Sequence, residues 1–271
     1  LFEMANIRDQ CSWVHMRQKE DATHKAKDLV RMAVANARWI RPLSEVGLQV
    51  IQKGLVIGGG VAGMTAALKL AEQGYEIFLL EKEAQLGGNL RNLHYTLEGQ
   101  DVQAFLKDLI NRVTGYPSIH VITNALVVDF SGSKGNFSTG VMVAPTMYYR
   151  KIEHGITVLA TGAQEWKPNE FLYGQDPRIV TQLELEDRMV NHPDEVARSN
   201  HIVMIQCVGS RNTERPNCSR TCCSTAVKNA LKIKELNPNA HISILYRDMR
   251  TYGLAESYYA KARDQGVMFI R

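Results

Sequence analysis

Apolar residues recur along this chain with two distinct periods. Between Asp21 and about Arg41, Ala22, Ala26, Leu29, Ala33 and Ala37 fall on one stripe, with Val30 and Val34 beside it, which predicts a helix closed by Pro42. Its many alanines suit close packing on another surface. Gly54-Leu-Val-Ile57 is then a short apolar run of the kind a buried strand makes. Met64 to Gln73 predicts a helix stopped at Gly74, and Glu76-Ile-Phe-Leu-Leu80 a second strand. Val102 to Val113 places Phe105, Leu106, Leu109, Ile110 and Val113 on one helical face. Residues 118–130 and 136–149 read as strands, and Gly155-Ile-Thr-Val-Leu-Ala160 as a further buried one. A loop-rich stretch follows, with prolines at 168, 177 and 193 and a short helical piece near 183–190. Beyond it, 201–206 predicts a strand, 224–236 a helix, 241–246 a strand, 254–265 a helix and 267–270 a strand.

The order is strand, loop, helix, strand in both halves. That predicts an α/β protein of two Rossmann-like, doubly wound units with an N-terminal helical lead-in. The expected divisions are a lead-in at 1–50, a nucleotide-binding domain at 51–165, a linker at 166–200 and a second unit at 201–271 with a cysteine-bearing loop. The 271 residues leave room for one large domain or two ordinary ones. Leu1 stands where an initiator methionine would, and the last residues read as a strand just starting, so the expectation is an internal piece of a longer polypeptide.

Composition narrows the classes without choosing among them. Hydrophobic residues at 45% and charged residues at 22% are ordinary for a soluble globular chain. A net charge of +4, with no basic run, argues against nucleic acid. No apolar stretch is long enough to span a bilayer, and there is no secretory pattern at the start, so a cytoplasmic protein is expected.

Two motifs carry chemistry. The first is Gly58-Gly-Gly-Val-Ala-Gly63, between a strand and a helix. Gly58 permits the tight turn, Gly60 leaves room for a pyrophosphate, and Gly63 lets helix and strand approach. Ala62 and its neighbours open a helix whose N-terminus favours an anion. Glu81, 18 residues past Gly63, is placed to accept ribose hydroxyls. Lys82 follows it, then Gly87-Gly88-Asn89, and much later Thr161-Gly162 ends an apolar strand. The second motif is Cys207, Cys218, Cys222 and Cys223, spaced C-x10-C-x3-C-C where a second glycine loop would stand. Four thiolates suit a 4Fe-4S cluster or a structural zinc. A Cys218–Cys222 redox disulfide and unliganded buried cysteines are the other readings. Arg211, Arg215 and Arg220 would add positive charge beside an anionic cluster.

The acid with its double glycine and the Ala-Thr-Gly turn together resemble the FAD domain of glutathione-reductase-like flavoproteins, which implies FAD rather than NAD, with the domain's C-terminal return missing here. Across its length the chain also resembles the A subunit of heterodisulfide reductase. Cys11-Ser-Trp-Val-His15, 25–34, Gly58 to Gly63, 86–90, Cys207-Val-Gly-Ser-Arg211, Cys218 to Cys223 and 246–253 carry that likeness. It implies an oxidoreductase in which FAD exchanges electrons with iron–sulfur clusters, with flavin-based bifurcation in some members. The partners it implies are sister subunits, a hydrogenase or formate dehydrogenase donor, and ferredoxin. It further implies that Cys11 can ligate another cluster and that Lys228, on the helix after the cysteines, can hydrogen-bond the flavin ring. The alternatives left open are a pyridine-nucleotide-dependent thiol–disulfide oxidoreductase and a zinc-stabilised nucleotide-binding scaffold.

Overall fold

A computed structural model describes residues 2–44 and 47–271; Leu1, Glu45 and Val46, within the expected lead-in, lie outside the described residues. The chain divides into a unit at 1–48 and a larger one at 49–271. The first holds a short π-helical turn, Arg8–Ser12, and helix α1, Lys19–Ala37. The alanine stripe is its least exposed side, though no residue of α1 is buried. Cys11 is buried in this unit, and its thiol donates to the Ala22 carbonyl at 2.8 Å.

In the larger unit, strand β1 (Lys53–Ile57) leads to α2 (Val61–Ala71) and β2 (Glu76–Leu80), then to α3 (Val102–Thr114) and β3 (Ile119–Ile122). A three-stranded antiparallel meander follows: β4 (Ala125–Ser133), β5 (Asn136–Val143) and β6 (Tyr148–His154). β7 (Ile156–Leu159) then returns beside β1, giving a parallel sheet of order β3-β2-β1-β7. Both faces of this sheet are covered, which is why its strands read as unbroken apolar runs. Val56, Ile77 and Leu79 pack on α2 and α3 with Met64, Leu68, Leu106 and Leu109. On the opposite face, Leu55, Phe78 and Leu80 pack on Val141, Val143 and Ile152 of the meander.

Two boundaries differ from the sequence reading. The stretch 118–130 divides at Asn124, which takes a left-handed conformation (φ 51°) and donates its N–H to the Glu83 carbonyl, so the chain leaves one sheet for the other there. β6 emerges as a separate strand. Its sequence is largely polar because only Ile152 and His154 face inward. The His154 ring is fully buried: Nδ1–H donates to the Ile156 carbonyl (2.9 Å) and Nε2 accepts from the Thr139 hydroxyl (2.8 Å).

The last part builds a second parallel sheet, β10-β9-β8. Helices α4 (Gln182–Asn191) and α5 (Pro193–Ala197) precede β8 (His201–Ile205). Then come α6 (Cys222–Leu236), β9 (His241–Leu245), α7 (Glu256–Asp264) and β10 (Met268–Ile270). Met189 and Val196 lie in the same core as Met204, Ala226, Val227, Ile242 and Ile244. Much of the stretch expected as a linker, 166–200, is therefore packed structure. α4 has the start signal the sequence offers, a capping box of Thr181 and Glu184. The opposite sheet face, with Val203, Met268 and Ile270, is exposed.

A buried ion pair ties these layers together. Lys228 Nζ, on α6, donates to Glu186 Oε2 on α4 at 2.5 Å and to the Tyr95 carbonyl at 3.0 Å. Glu186, with no exposed surface, also accepts the His94 N–H at 2.6 Å and the Tyr95 N–H at 3.3 Å. The segment after the double glycine is thus held by two helices of the second sheet.

Removing one charge of this pair strands the other in a low-dielectric interior. Lys228→Met is expected to cost about 3–5 kcal/mol in urea unfolding, with part recovered in the Lys228→Met/Glu186→Gln double variant. His154 gives a pH prediction. Burial lowers its pKa below the ordinary 6.5, and the Ile156 carbonyl only partly offsets this. The unfolded chain therefore binds a proton first. Stability from this site is complete above the unfolded value and falls as pH drops below it. Unfolding free energies at pH 7.5 and 5.5 should differ less in His154→Gln than in the native protein.

Candidate functional site

The glycine turn sits at the C-terminal end of β1, where the strand order reverses between β2 and β7. Open α/β sheets bind ligands in that crevice. Gly58 has φ +113° and donates its N–H to the Leu80 carbonyl (2.8 Å). A Cβ on Gly63 would overlap the Gly58 carbonyl, so helix and turn approach as closely as backbones allow. Around Gly60, by contrast, a Cβ would meet nothing within 4 Å. Gly60 is the N-cap of α2, and no side chain caps it. The amides opening that helix, at Val61, Ala62 and Gly63, face an open space suited to a pyrophosphate.

Glu81, at the end of β2, is buried beneath the turn. Its Oε2 accepts the Gly59 N–H at 2.7 Å and its Oε1 the Glu83 N–H at 2.9 Å. Each oxygen keeps a second lone pair for a ligand hydroxyl. Lys82 points outward to Glu83 at 3.6 Å. The double glycine returns to the turn: the Gly87 N–H donates to the Gly59 carbonyl (2.8 Å), and a Cβ on Gly88 would stand 3.2 Å from Gly60 Cα. Asn89 donates its amide to the Ala163 carbonyl at 2.8 Å, one residue past the exposed Thr161-Gly162. Gly58, Gly60, Gly63, Glu81, Gly88 and Asn89 therefore converge, with Thr161 and Gly162 at the rim.

The cysteines lie between β8 and α6. The helix starts two residues earlier than its apolar pattern indicates, taking Cys222 and Cys223 into its first turn. Thr221 is the N-cap residue, and no side chain caps it. Cys222 is held well below the ordinary thiol range by the adjoining Cys223 side chain, against burial, with help from Ser219 and the backbone of Cys207 and Cys223. Cys223, whose thiol donates to the Asp248 carbonyl at 3.7 Å, is pushed up by its neighbour Cys222 and by burial. Cys207 has φ 61°, and Arg211, φ 57°, bonds Asp248 Oδ2 through its guanidinium. Cys218 accepts the Arg220 N–H at 3.3 Å, a contact outside that group. All five cysteines are free thiols. Among the described residues no three His, Cys, Asp or Glu side chains form a ready metal cage.

Beside Arg211, already expected to add positive charge here, two residues that the sequence reading passed over, Gln206 and Thr251, carry buried polar atoms. Among the described residues, Gln206 Nε2, Arg211 Nη1 and Thr251 Oγ1 have no hydrogen-bond partner. Gln206 precedes Cys207, and Thr251 lies three residues past Asp248, whose carbonyl accepts the Cys223 thiol at 3.7 Å. Buried donors without acceptors are costly, and all three lie close in the chain to Cys207 or Asp248. The only sequence signal for them is their closeness to cysteines.

Lys228 is placed differently from the expectation. Its ammonium is engaged by Glu186 and the Tyr95 carbonyl rather than facing an open cofactor site. Helical periodicity could not reveal this, because Glu186 lies 42 residues away in sequence.

Comparison with known proteins agrees with this geometry. A profile of NAD(P)-binding Rossmann-like domains matches residues 56–107, from β1 through the double glycine into α3. The whole chain is 33% identical to an iron–sulfur A subunit of the CoB–CoM heterodisulfide reductase of Methanopyrus kandleri, covering 55% of it. It is 31% identical, again along its whole length, to the A subunit of the H(2):CoB-CoM heterodisulfide,ferredoxin reductase of Methanothermobacter marburgensis, covering 55% of that protein. Among solved structures, thioredoxin reductase of Lactococcus lactis is similar over 81% of this chain and 64% of its own, with a TM-score of 0.48 and 17% identity. No helix of the described residues is long and apolar enough to cross a membrane. The chain spans about half the length of the curated relatives it matches, and along its whole length it is similar in sequence to A subunits of heterodisulfide reductase.

Proposed function

We propose that this chain is the FAD-binding, electron-transferring part of a cytoplasmic heterodisulfide-reductase-like oxidoreductase. Its cysteine loop would hold a 4Fe-4S cluster. The observation that carries the reading is the convergence of two unlike sites in one unit. One is a dinucleotide turn with open space at Gly60; the other is a set of four cysteines leading into α6, near in the chain to buried donors without partners. When bound, FAD would supply two-electron and one-electron chemistry and the cluster one-electron transfer.

The chain's residues do the rest. The N-terminus of α2 neutralises the pyrophosphate, and Glu81 orients the ribose. Gly87, Gly88 and Asn89 keep the neighbouring backbone close without side chains in the way. Thr161 and Gly162 line the far rim. Cys207, Cys218, Cys222 and Cys223 are the proposed cluster ligands. Gln206, Arg211 and Thr251 would donate to the sulfides, and the N-terminus of α6 favours negative charge. Cys218 stands apart from the other three, so its side chain would turn inward on loading. Lys228 serves the fold through Glu186. The names of the relatives support sister subunits and ferredoxin as partners; a hydrogenase or formate dehydrogenase as donor, and bifurcation, complete the proposal.

Three results test this. Anaerobically purified protein should show flavin absorption on a broad brown shoulder with about four irons per chain; zinc in place of iron, or no flavin, would refute it. Cys222→Ser should lose the shoulder and iron while keeping flavin. Gly60→Ala and Gly63→Ala should separate binding from folding. The first fills open space, so it should weaken FAD binding about tenfold or more with Tm unchanged. The second overlaps the Gly58 carbonyl and should lower Tm as well.

A further inference from the structure

Four residues past Gly162, Trp166 lies half exposed, with two parts of the cysteine loop closed on its ring. The Arg215 guanidinium stacks on the indole, 3.2 Å from the ring centroid. On the ring's edge stands Gly209, where a Cβ would overlap Cδ1 and Nε1 of Trp166. Gly209 also has φ +65°, so glycine meets both demands at once.

The loop needs such fastenings. Between β8 and α6 it has no helix or strand, and Cys207, Arg211 and Arg220 all lie in the left-handed region. Its other side is tied by Arg211 to Asp248 (2.5 Å) and by Arg247 to the Arg211 carbonyl (2.5 Å). A segment held by a few side-chain contacts opens locally when one is removed.

The strand exit that carries Trp166 is fastened at its other end to the dinucleotide turn. A Cβ on Gly58 would run into the Ala160 carbonyl and the Thr161 nitrogen, and Asn89 donates to the Ala163 carbonyl. The strap from Ala160 to Trp166 therefore touches the glycine turn and the double glycine at one end and the cysteine loop at the other.

We infer that Trp166 is a positioning residue that links the two sites: through its clamp on Arg215 and Gly209, a dinucleotide seated against Thr161-Gly162 orders the loop bearing Cys207 and Cys218. This rests on the dinucleotide reading of the Gly58–Gly63 turn. The link needs no chemical step, because the strap transmits order.

The test is hydrogen–deuterium exchange of residues 206–221, before and after FAD is added, in the native protein, Trp166→Phe and Trp166→Ala. Fluorescence titration measures FAD affinity in each. Without FAD, the loop of Trp166→Ala should exchange about threefold faster or more than the native loop, as expected for loss of a stacked cation–π contact. FAD should slow exchange there in the native protein and in Trp166→Phe, which keeps an aromatic face. In Trp166→Ala, FAD should bind with similar affinity and leave the loop unprotected. Equal protection of the loop in Trp166→Ala and native protein would overturn the link while leaving the dinucleotide site intact. Failure of the native protein to bind FAD would overturn both.

Discussion

The Glu81 carboxylate, buried where β2 ends, takes the Gly59 N–H on one oxygen and the Glu83 N–H on the other. With these two bonds the glycine turn acquires a fixed height above the sheet. Gly58 can then bond back to Leu80, Gly63 can press against the Gly58 carbonyl, and Gly87 can hand its N–H to Gly59. A charged group in a dry place is costly unless it is hydrogen-bonded. Here the backbone donors offset that cost and are ordered by it. The α2 amides, the space at Gly60 and the approach of Gly88 all follow from where that carboxylate stands.

The Lys228–Glu186 pair has a comparable effect on the layers. It joins α6, α4 and the backbone of His94 and Tyr95, so the chain leaving the double glycine is tied to the helix that begins at Cys222. Tyr95 adds its hydroxyl to Asn229 at 3.3 Å and lies beneath the Lys228 ammonium. Buried pairs of this kind add little net stability over a well-packed apolar substitute. Their geometry is directional, however, and hydrophobic contact alone would leave α4 freer to slide on α6. The turn and the cysteine helix are thereby kept in one frame.

Around the thiols the balance of charge differs from that at the turn. The start of α6 and the Arg211 guanidinium, paired with Asp248, bring positive charge near the chain's cysteines, and Gln206 Nε2 and Thr251 Oγ1 are further polar atoms without a partner among the described residues. Cys222 and Cys223 are pushed in opposite directions, Cys222 down and Cys223 up, while the Cys223 thiol donates to the Asp248 carbonyl.

Much of this was legible in the residues alone. Continuous apolar runs announced the buried strands, because a parallel sheet covered on both faces leaves no polar positions. The glycine spacing announced the turn, because only glycine tolerates its backbone angle and its close approach. The cysteine spacing placed four thiols between the end of β8 and the first turn of α6. The polar strand β6, the break at Asn124 and the packed helices inside the expected linker were not legible, since each is set by what lies across the sheet rather than by neighbours in sequence. The same holds for Lys228. Local pattern was enough to put it on a helix near the cysteines, whereas only the tertiary structure brought Glu186 to it from α4. A buried cation takes whichever carboxylate the fold supplies, and no local pattern encodes that choice.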